Sequence, residues 1–188
     1  MARHELFETE INFIESEDLR DFVRFFFDEK CGDWFFENGA SSTGKYHPCF
    51  SQGEGGLVRH VRAAAWFLEE LLRLSSYAYM SAEYKDFARV AILIHDCRKY
   101  GGMEYDKACY ASHGALCAEA IEAAWVEMFQ TSAPELLKMA VRSHMGQWTE
   151  NRDERPFTPI DRVVHLADYI SSRPFIDIPT ISGSDLPF

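Results

Sequence analysis

Apolar residues recur at helical spacing along most of the chain. In the first long segment, residues 17–30, they fall at Leu19, Phe22, Val23 and Phe26, behind an acidic first turn that suits the helix dipole. We find no convincing run of strands. The same spacing predicts further helices over residues 56–74, about 81–98, 113–129, 133–145 and 159–172.

Polar residues mark where these helices begin and where they are interrupted. Residues 132–135 and 158–161 each fit a capping box with a proline in the first turn. Residues 38–56, rich in Gly, Ser and Thr, predict a loop long enough to suggest a function. We therefore predict an all-α, single-domain helical bundle. Its predicted parts are an N-terminal helical segment packed on the core (1–37), the main domain (38–173) and an irregular C-terminal tail (174–188).

Composition agrees with this fold and excludes some functions. The chain has 188 residues, 47% of them apolar and 26% charged, as in ordinary globular proteins. It lacks both a long apolar run and the build of a signal peptide, so no membrane partner is expected. A net charge of −11 argues against extended nucleic-acid binding but permits a small anionic ligand at a local basic cluster. Five cysteines without a C-x-x-C pair favour a reducing cytoplasm.

One predicted core helix carries ionisable groups. In ARVAILIHDCRKYGG, residues 88–102, an apolar run leads directly into His95 and Asp96, with Lys99 one helical turn later. Burying a lone carboxylate costs several kcal/mol even after relaxation. Such groups therefore need a partner that the local sequence does not supply.

Other predicted helices carry groups of the same kind. These are His60, His113, His144 and Asp168. Ser112 is a candidate cap for the helix that His113 begins. A lone histidine on a helix is more often a hydrogen-bonded core or surface residue than a ligand, but a shared cation explains the whole set. Imidazole and carboxylate ligands suit zinc, iron or manganese, and the lack of suitably placed thiols favours iron or manganese.

The ordered series resembles the HD-domain superfamily of metal-dependent phosphohydrolases. The matching phrases are GEGGLVRHVR around His60, HDCRKYG at His95 and Asp96, SHGALCAE at His113, VRSHMGQW at His144 and HLADYISSR at Asp168. The resemblance covers roughly residues 40–173 and implies a helical bundle of the HD-domain type, with the metal-binding domain at 38–173. Two histidines between the HD pair and the last aspartate are typical of the binuclear branch.

The resemblance implies a ligand set and a reaction. Asp96 would bridge two divalent ions, one held by His60, His95 and Asp168 and the other by His113 and His144. Iron or manganese is expected, with zinc, magnesium, nickel and cobalt as alternatives. A single-metal site stays open, in which one of the two extra histidines is only a helix-terminal residue. The implied activity is that of a nucleotidase or phosphodiesterase, in which a metal-bound hydroxide attacks a small nucleotide or phosphoester.

Lys99 is the first candidate for binding the phosphate and assisting catalysis. It follows His95 by four residues and Asp96 by three, so a helix would place all three on one side. HD-x-x-K also recurs in the family, where the lysine is close to the phosphate. The alternative is that Lys99 has no role at the site and only interacts favourably with the negative, C-terminal end of the helix dipole.

Further substrate contacts are predicted on both sides of the ligand series. The candidates are Ser42, Lys45 and His47 in the long loop and Arg173 after the last helix. His165 and Asp161 share a helix face with Asp168, and His165 is a candidate for orienting a ligand. Aromatic residues such as Trp148 would suit a nucleotide base if they line the pocket, although core packing is their default role.

Two other functions stay open at this stage. A mixed-valent di-iron oxygenase of the same superfamily would use the same ligands. A non-catalytic, metal-stabilised module that binds a nucleotide is the other alternative. The expected partner is a small phosphorylated molecule, with a nucleotide first. The sequence leaves the oligomeric state open.

Overall fold

Helices and their connecting loops form the whole of the computed structural model, which describes residues 2–41, 47–149 and 151–176 and contains no β-strand there. The α-helices in this part are α1 (Glu8–Ile11), α2 (Glu17–Lys30), α3 (Asp33–Glu37), α4 (Gly56–Leu72), α5 (Ala82–Ile94), α6 (His113–Phe129), α7 (Glu135–Ser143) and α8 (Pro159–Ser171). Short 3-10 helices cover Arg3–Phe7, Cys49–Ser51, Lys107–Ala111, Gly146–Trp148 and Arg152–Glu154. The predicted all-α single domain is confirmed.

The helix α5 is the centre of the bundle. Every residue from 86 to 94 is buried, and α5 packs against α4, α7, α8 and α2. A helix surrounded on all sides must be apolar on all sides, which explains its run of Ala, Val, Ile and Leu. The other close pairs are α4 with α8, α6 with α7, and α7 with α8. No helix in the described part of the chain is both long and apolar enough to cross a bilayer.

The prediction that this central helix runs to about residue 98 was wrong, because α5 ends at Ile94. Beyond it the backbone turns more tightly. Cys97 N–H donates to the carbonyl of Ile94 at 3.1 Å, and Lys99 N–H donates to that of Asp96 at 3.0 Å. These are bonds between residues three apart, which tighten the end of a helix. Asp96 and Lys99 therefore lie on a compact turn, defined here as the 95–100 turn.

Of the three predicted caps, only the one at residue 158 is confirmed. Thr158 accepts the N–H of Asp161, and the Asp161 carboxylate accepts the N–H of Thr158. Residues 132–135 form no capping box, since Pro134 is the N-cap of α7 and Ala133 N–H donates to Glu122.

The prediction that Ser112 caps α6 was also wrong. Its side chain makes no capping bond, because the residue closes the preceding 3-10 helix, where its N–H donates to the carbonyl of Cys109 at 3.1 Å. The first turn of α6 is therefore not capped by that hydroxyl.

Two buried charged residues of α5, Asp86 and Arg89, anchor neighbouring segments to this helix. The carboxylate of Asp86 accepts the backbone N–H groups of Glu15 and Ser16 at 2.9–3.1 Å, just before α2 begins. Arg89 binds the same carboxylate at 2.9 Å and reaches Glu69 on α4 through two further bonds. Since each charge has opposite charges or N–H donors around it, burial of these groups is tolerated.

Candidate metal centre

The structure brings all six sequence-predicted ligands together at the C-terminal end of α5. His95 and Asp96 follow that helix directly, His144 follows α7 directly, and His113 is the first residue of α6. His60 and Asp168 come from the packed pair α4 and α8. The five residues other than Asp168 are at most 1% exposed, and the Asp168 side chain is 15% exposed. The centre is therefore closed on most sides and reaches solvent beside Asp168.

One oxygen of Asp96 faces the first group of rings. Its Oδ2 lies 3.5 Å from His95 Nε2 and 3.8 Å from His60 Nε2. Asp168 Oδ1 completes this side, at 3.1 Å from His60 Nε2 and 3.5 Å from His95 Nε2. The donor atoms of His60, His95 and Asp168 therefore lie close enough together to share a cation. Asp96 Oδ2 faces the same two rings.

The other oxygen of Asp96 faces a second pair of rings. Its Oδ1 lies 3.1 Å from His113 Nε2 and 3.7 Å from His144 Nε2. The two Nε2 atoms of these histidines are 2.9 Å apart. The same carboxylate therefore contributes one oxygen to each of two ligand groups, an arrangement that a bridging carboxylate requires.

Three of the histidines are oriented in the same way. The Nδ1 atoms of His95, His113 and His144 each lie 2.6–2.7 Å from the carbonyl oxygen three residues earlier, on Ile92, Tyr110 and Val141 respectively. The last carbonyls of a helix lack an intrahelical partner, so a histidine placed there can donate to them. This bond keeps the Nδ1 proton on the outside of the centre, so that the lone pair of the neutral ring is on Nε2 and faces inward.

His60 reaches the same state through a serine that the sequence did not single out. Ser171 Oγ lies 3.3 Å from His60 Nδ1 and donates to the carbonyl of Asp168 at 2.9 Å. With its own proton used, this hydroxyl accepts the Nδ1 proton of His60. Ser171 follows Asp168 by three residues on α8, so one helical turn supplies both a ligand and the group that orients another.

The donor set fits divalent cations. Nε2 of His60 and Nε2 of His95 are buried without a hydrogen-bond partner among the described residues. The bare Nε2 atoms of His113 and His144 face each other at hydrogen-bond distance, where two lone pairs repel unless a proton or a cation lies beside them. Nitrogen and carboxylate oxygen without sulfur suit iron, manganese or zinc.

Burial and neighbouring charges shift the pKa values of the groups in the centre in different directions. Burial opposes ionisation of Asp96, but the Lys99 ammonium and the His95 ring outweigh it and hold the pKa of Asp96 well below its usual value. Burial likewise favours neutral His95, yet the Asp96 and Asp168 carboxylates raise the pKa of His95 to about 9. At His144 burial prevails, and nearby His113 and His95 add to it, so its pKa falls to about 4.

Lys99 lies inside the centre rather than at its mouth. Its Nζ donates to Asp96 Oδ2 at 2.7 Å, and the residue is 5% exposed. Burial alone would lower the pKa of Lys99, but the Asp96 carboxylate raises it, so the ammonium stays charged. The predicted proximity of Lys99 to Asp96 is present, although the 95–100 turn produces it and not a continuing helix.

Of the predicted loop contacts, the structure describes only His47, since Ser42 and Lys45 lie outside the described residues. The His47 ring meets the His60 ring edge-on, with the centroids 5.4 Å apart. Its Nδ1 is buried and has no hydrogen-bond partner in the described ranges. Burial first, and then His60 and Lys99, lower the pKa of His47 to about 3, so the ring is neutral.

Arg173 lies against aromatic rings just beyond the C-terminal end of α8. Its guanidinium carbon is 4.1 Å from the centroid of the Tyr169 ring and 5.6 Å from that of Trp148. Its Nε donates to the Tyr169 carbonyl at 3.1 Å. The Trp148 ring stacks on Tyr169 at 5.7 Å and remains 49% exposed. We name Trp148, Tyr169 and Arg173 the aromatic platform. Its central residue, Tyr169, follows Asp168 directly in the chain.

His165 supports the backbone of His144 and is not among the ligands. Its Nδ1 lies 2.7 Å from the His144 carbonyl oxygen. The His165 ring also lies directly under Gly146, where an added Cβ would come within 2.1 Å of it. Gly146 has a φ of 62°, so the chain leaves His144 through a conformation that glycine adopts readily. Asp161 has a different role, since it belongs to the Thr158 capping box.

Comparisons with known proteins identify no relative of this chain. No protein-family model matches it, and neither the curated proteins nor the solved structures contain a match.

Proposed function

We propose that this protein is a metal-dependent phosphohydrolase of the HD-domain type, acting on a small nucleotide or another small phosphoester. The observation that carries the proposal is the position of Asp96, whose two oxygens face two different histidine groups within 3.1–3.8 Å. A carboxylate shared in this way suits a pair of divalent cations, and paired cations are typical of phosphoester hydrolysis.

The chain divides the proposed ligands between two positions. His60, His95 and Asp168 would hold one cation, His113 and His144 the other, and Asp96 would span both. When bound, such cations supply Lewis acidity and lower the pKa of water towards neutrality. Iron or manganese suits the donors best, with zinc, magnesium, nickel and cobalt as alternatives. The carbonyl bonds to Nδ1 hold the rings in place, so that little reorganisation accompanies binding.

Charge and shape support a phosphorylated substrate. The Lys99 ammonium has N–H bonds beyond the one that it donates to Asp96, and these suit phosphate oxygens next to the cations. His47 offers a neutral ring with an unpartnered Nδ1 above His60. The aromatic platform presents an exposed indole face on which a nucleotide base could stack. These features favour a nucleotide over a phosphate without an aromatic group.

The proposal is tested with protein purified anaerobically and supplied with manganese or iron(II). Release of phosphate or nucleoside is measured over a panel of nucleotides, cyclic nucleotides and synthetic phosphodiesters, with metal content determined on the same samples. We expect turnover of at least one class of phosphoester. Asp96→Asn should lose its bound metal and most of its activity. The loss of activity should exceed the roughly 10–100-fold that is typical when a residue next to a metal ligand, rather than the ligand itself, is changed.

A matched control is Asp21→Asn, which alters a carboxylate that is 53% exposed and pairs with Arg24 on the surface of α2. It should retain both metal and activity. Phosphoester turnover that persists in metal-free protein would contradict the proposal. Fully metal-loaded protein that turns over none of the panel would also contradict it, and oxygen uptake with an organic substrate would then favour the oxygenase alternative.

A further inference from the structure

Two buried thiols lie almost within bonding distance of each other beside the candidate metal centre. The Sγ atoms of Cys97 and Cys117 are 2.7 Å apart, and neither residue is exposed. Cys117 also donates to the carbonyl of Ile94 at 2.9 Å, which fixes its side chain towards the end of α5. A disulfide needs an S–S distance of about 2.05 Å, so the two sulfur atoms need only a small approach to bond.

The position of this pair links it to both ligand groups. Cys97 follows Asp96 directly in the 95–100 turn, and Cys117 follows His113 by one helical turn on α6. A bond between the sulfurs would join the turn that carries His95 and Asp96 to the helix that carries His113. The two elements already meet where His113 Nε2 lies 3.1 Å from Asp96 Oδ1, and the disulfide would add a covalent link beside that contact.

We propose that Cys97 and Cys117 form a reversible disulfide when the protein meets a peroxide. One thiol reacts with hydrogen peroxide to give a sulfenic acid and one water, and the second thiol displaces the hydroxyl as another water while the S–S bond forms. The pair of thiols loses two electrons and two protons, and the peroxide is reduced to two waters. Hydrogen peroxide is small enough to reach buried sulfur through local opening of the surrounding structure.

Other thiols in the described chain are less well placed for this bond. Cys49 is exposed and Cys109 is partly exposed, and neither has another sulfur as a partner. Cys31, which is buried at the end of α2, contacts Cys97 and is the one competitor for it. Cys117 has the advantage over Cys31 because its Sγ is already oriented by the Ile94 carbonyl.

The bond would stabilise the protein without rearranging it. It would close a loop between residues 20 positions apart, which limits the conformations of the unfolded chain. For a chain of this length we expect the melting temperature to rise by about 6–12 °C on oxidation. A reductant such as dithiothreitol should reverse the shift.

The first test treats folded wild-type protein with hydrogen peroxide, quenches free thiols, and maps disulfides by mass spectrometry of peptides without reduction. We expect a Cys97–Cys117 bond with an unchanged circular dichroism spectrum and the rise in melting temperature. Cys117→Ser should abolish both the bond and the rise while still donating to the Ile94 carbonyl. The double variant Cys49→Ser/Cys109→Ser should keep both.

Three results would overturn the proposal. They are a Cys31–Cys97 bond in place of the expected one, oxidation confined to Cys49 and Cys109, and a Cys97–Cys117 bond that forms only in denaturant. A separate measurement, which rests on the proposed metal centre, compares metal loss to a chelator before and after oxidation. Oxidised protein should lose metal more slowly. Because peptide mapping needs no metal, a failure of the disulfide is distinguishable from a failure of the proposed function.

Discussion

At the scale of single residues, the hydrogen-bond and charge partners of a buried aspartate show whether it is a candidate metal ligand or a structural group. Asp161 is 1% exposed, and one of its oxygens accepts backbone N–H groups at the start of α8. Asp96 is equally buried, but its oxygens face four histidine rings and the Lys99 ammonium. Backbone partners hold a helix end in place, whereas ring nitrogens with free lone pairs can be shared with a cation.

Lys99→Met is expected to destabilise the metal-free protein by about 3–5 kcal/mol, since it leaves the buried Asp96 carboxylate without its closest positive charge. Urea unfolding in the presence of a chelator measures the loss. The matched control is Lys138→Met, which breaks a surface ion pair of the same i,i+3 spacing with Glu135 and a second one with Glu122. That change should cost no more than about 1 kcal/mol. Equal costs for the two variants would contradict the role given to Lys99.

Gly146→Ala should cost about 2–4 kcal/mol, because the residue has a positive φ and the new Cβ would strike the His165 ring. Since His165 bonds the carbonyl of His144, the variant should also bind metal more weakly at the second ligand group. Unfolding and metal titration measure the two effects. Gly102→Ala adds a Cβ with no atom within 4 Å and should be neutral within about 0.5 kcal/mol.

At the scale of elements, the ends of helices form the centre. Three helices have a proposed ligand at or just after a terminus, and two of them have it at the C-terminus, where carbonyl oxygens need donors. The approach of α6 to α7 is close at Gly114, where an added Cβ would lie 2.8 Å from the carbonyl oxygen of Arg142. Glycine therefore permits the spacing that brings His113 to His144. Helix packing thus sets the separation of these ligands.

Asp86→Ala tests how firmly the N-terminal segment is anchored to α5. It removes the acceptor for the N–H groups of Glu15 and Ser16 and one partner of Arg89, so we expect a loss of about 3–5 kcal/mol in chemical unfolding. Asp21→Ala, in the exposed pair with Arg24, should lose at most about 1 kcal/mol. Hydrogen exchange should locate the loosened region of Asp86→Ala at residues 2–30, and faster exchange confined to α8 would contradict this anchor.

At the scale of the whole molecule, the hydrophobic core does not depend on the centre. One cluster of buried side chains runs from Phe7 near the N-terminus to Ala167 on α8 and includes the aromatic contacts of α2 and α3. A core of this extent stabilises the bundle without bound cations. The protein should therefore differ from small zinc domains, which unfold when their metal is removed.

Removal of metal by a chelator should leave the helical circular dichroism spectrum unchanged and lower the melting temperature by about 5–10 °C. This is the shift expected when the chelator removes a cation whose free concentration had been roughly 100 times its dissociation constant, so that binding no longer stabilises the folded state. In Asp96→Asn the chelator should produce no shift. An equal shift in that variant, or loss of helical structure in wild type, would contradict the proposed centre.

The local pattern predicted much of the fold. Helical periodicity gave α2 and α6 with the bounds that the structure has. At α2 the reason is local, because both the amphipathic spacing and the polar N-terminus are encoded within the segment. It failed at the end of α5 and at residue 132. At the end of α5 a tight turn replaced the expected helical bonds. After residue 132 the distant side chain of Glu122 accepts the backbone N–H of Ala133 instead. The local sequence pattern indicates neither of these bonds.

The sequence by itself nominated His60, His95, Asp96, His113, His144 and Asp168, because ionisable residues in apolar helices need partners. Only the tertiary structure decided which oxygen of Asp96 faces which ring and that Arg173 lies on Tyr169. Contacts such as His60 with Asp168 join residues far apart in the chain. Their distances follow from how α4 packs on α8, and the periodicity of one helix carries no information about the side chains of another.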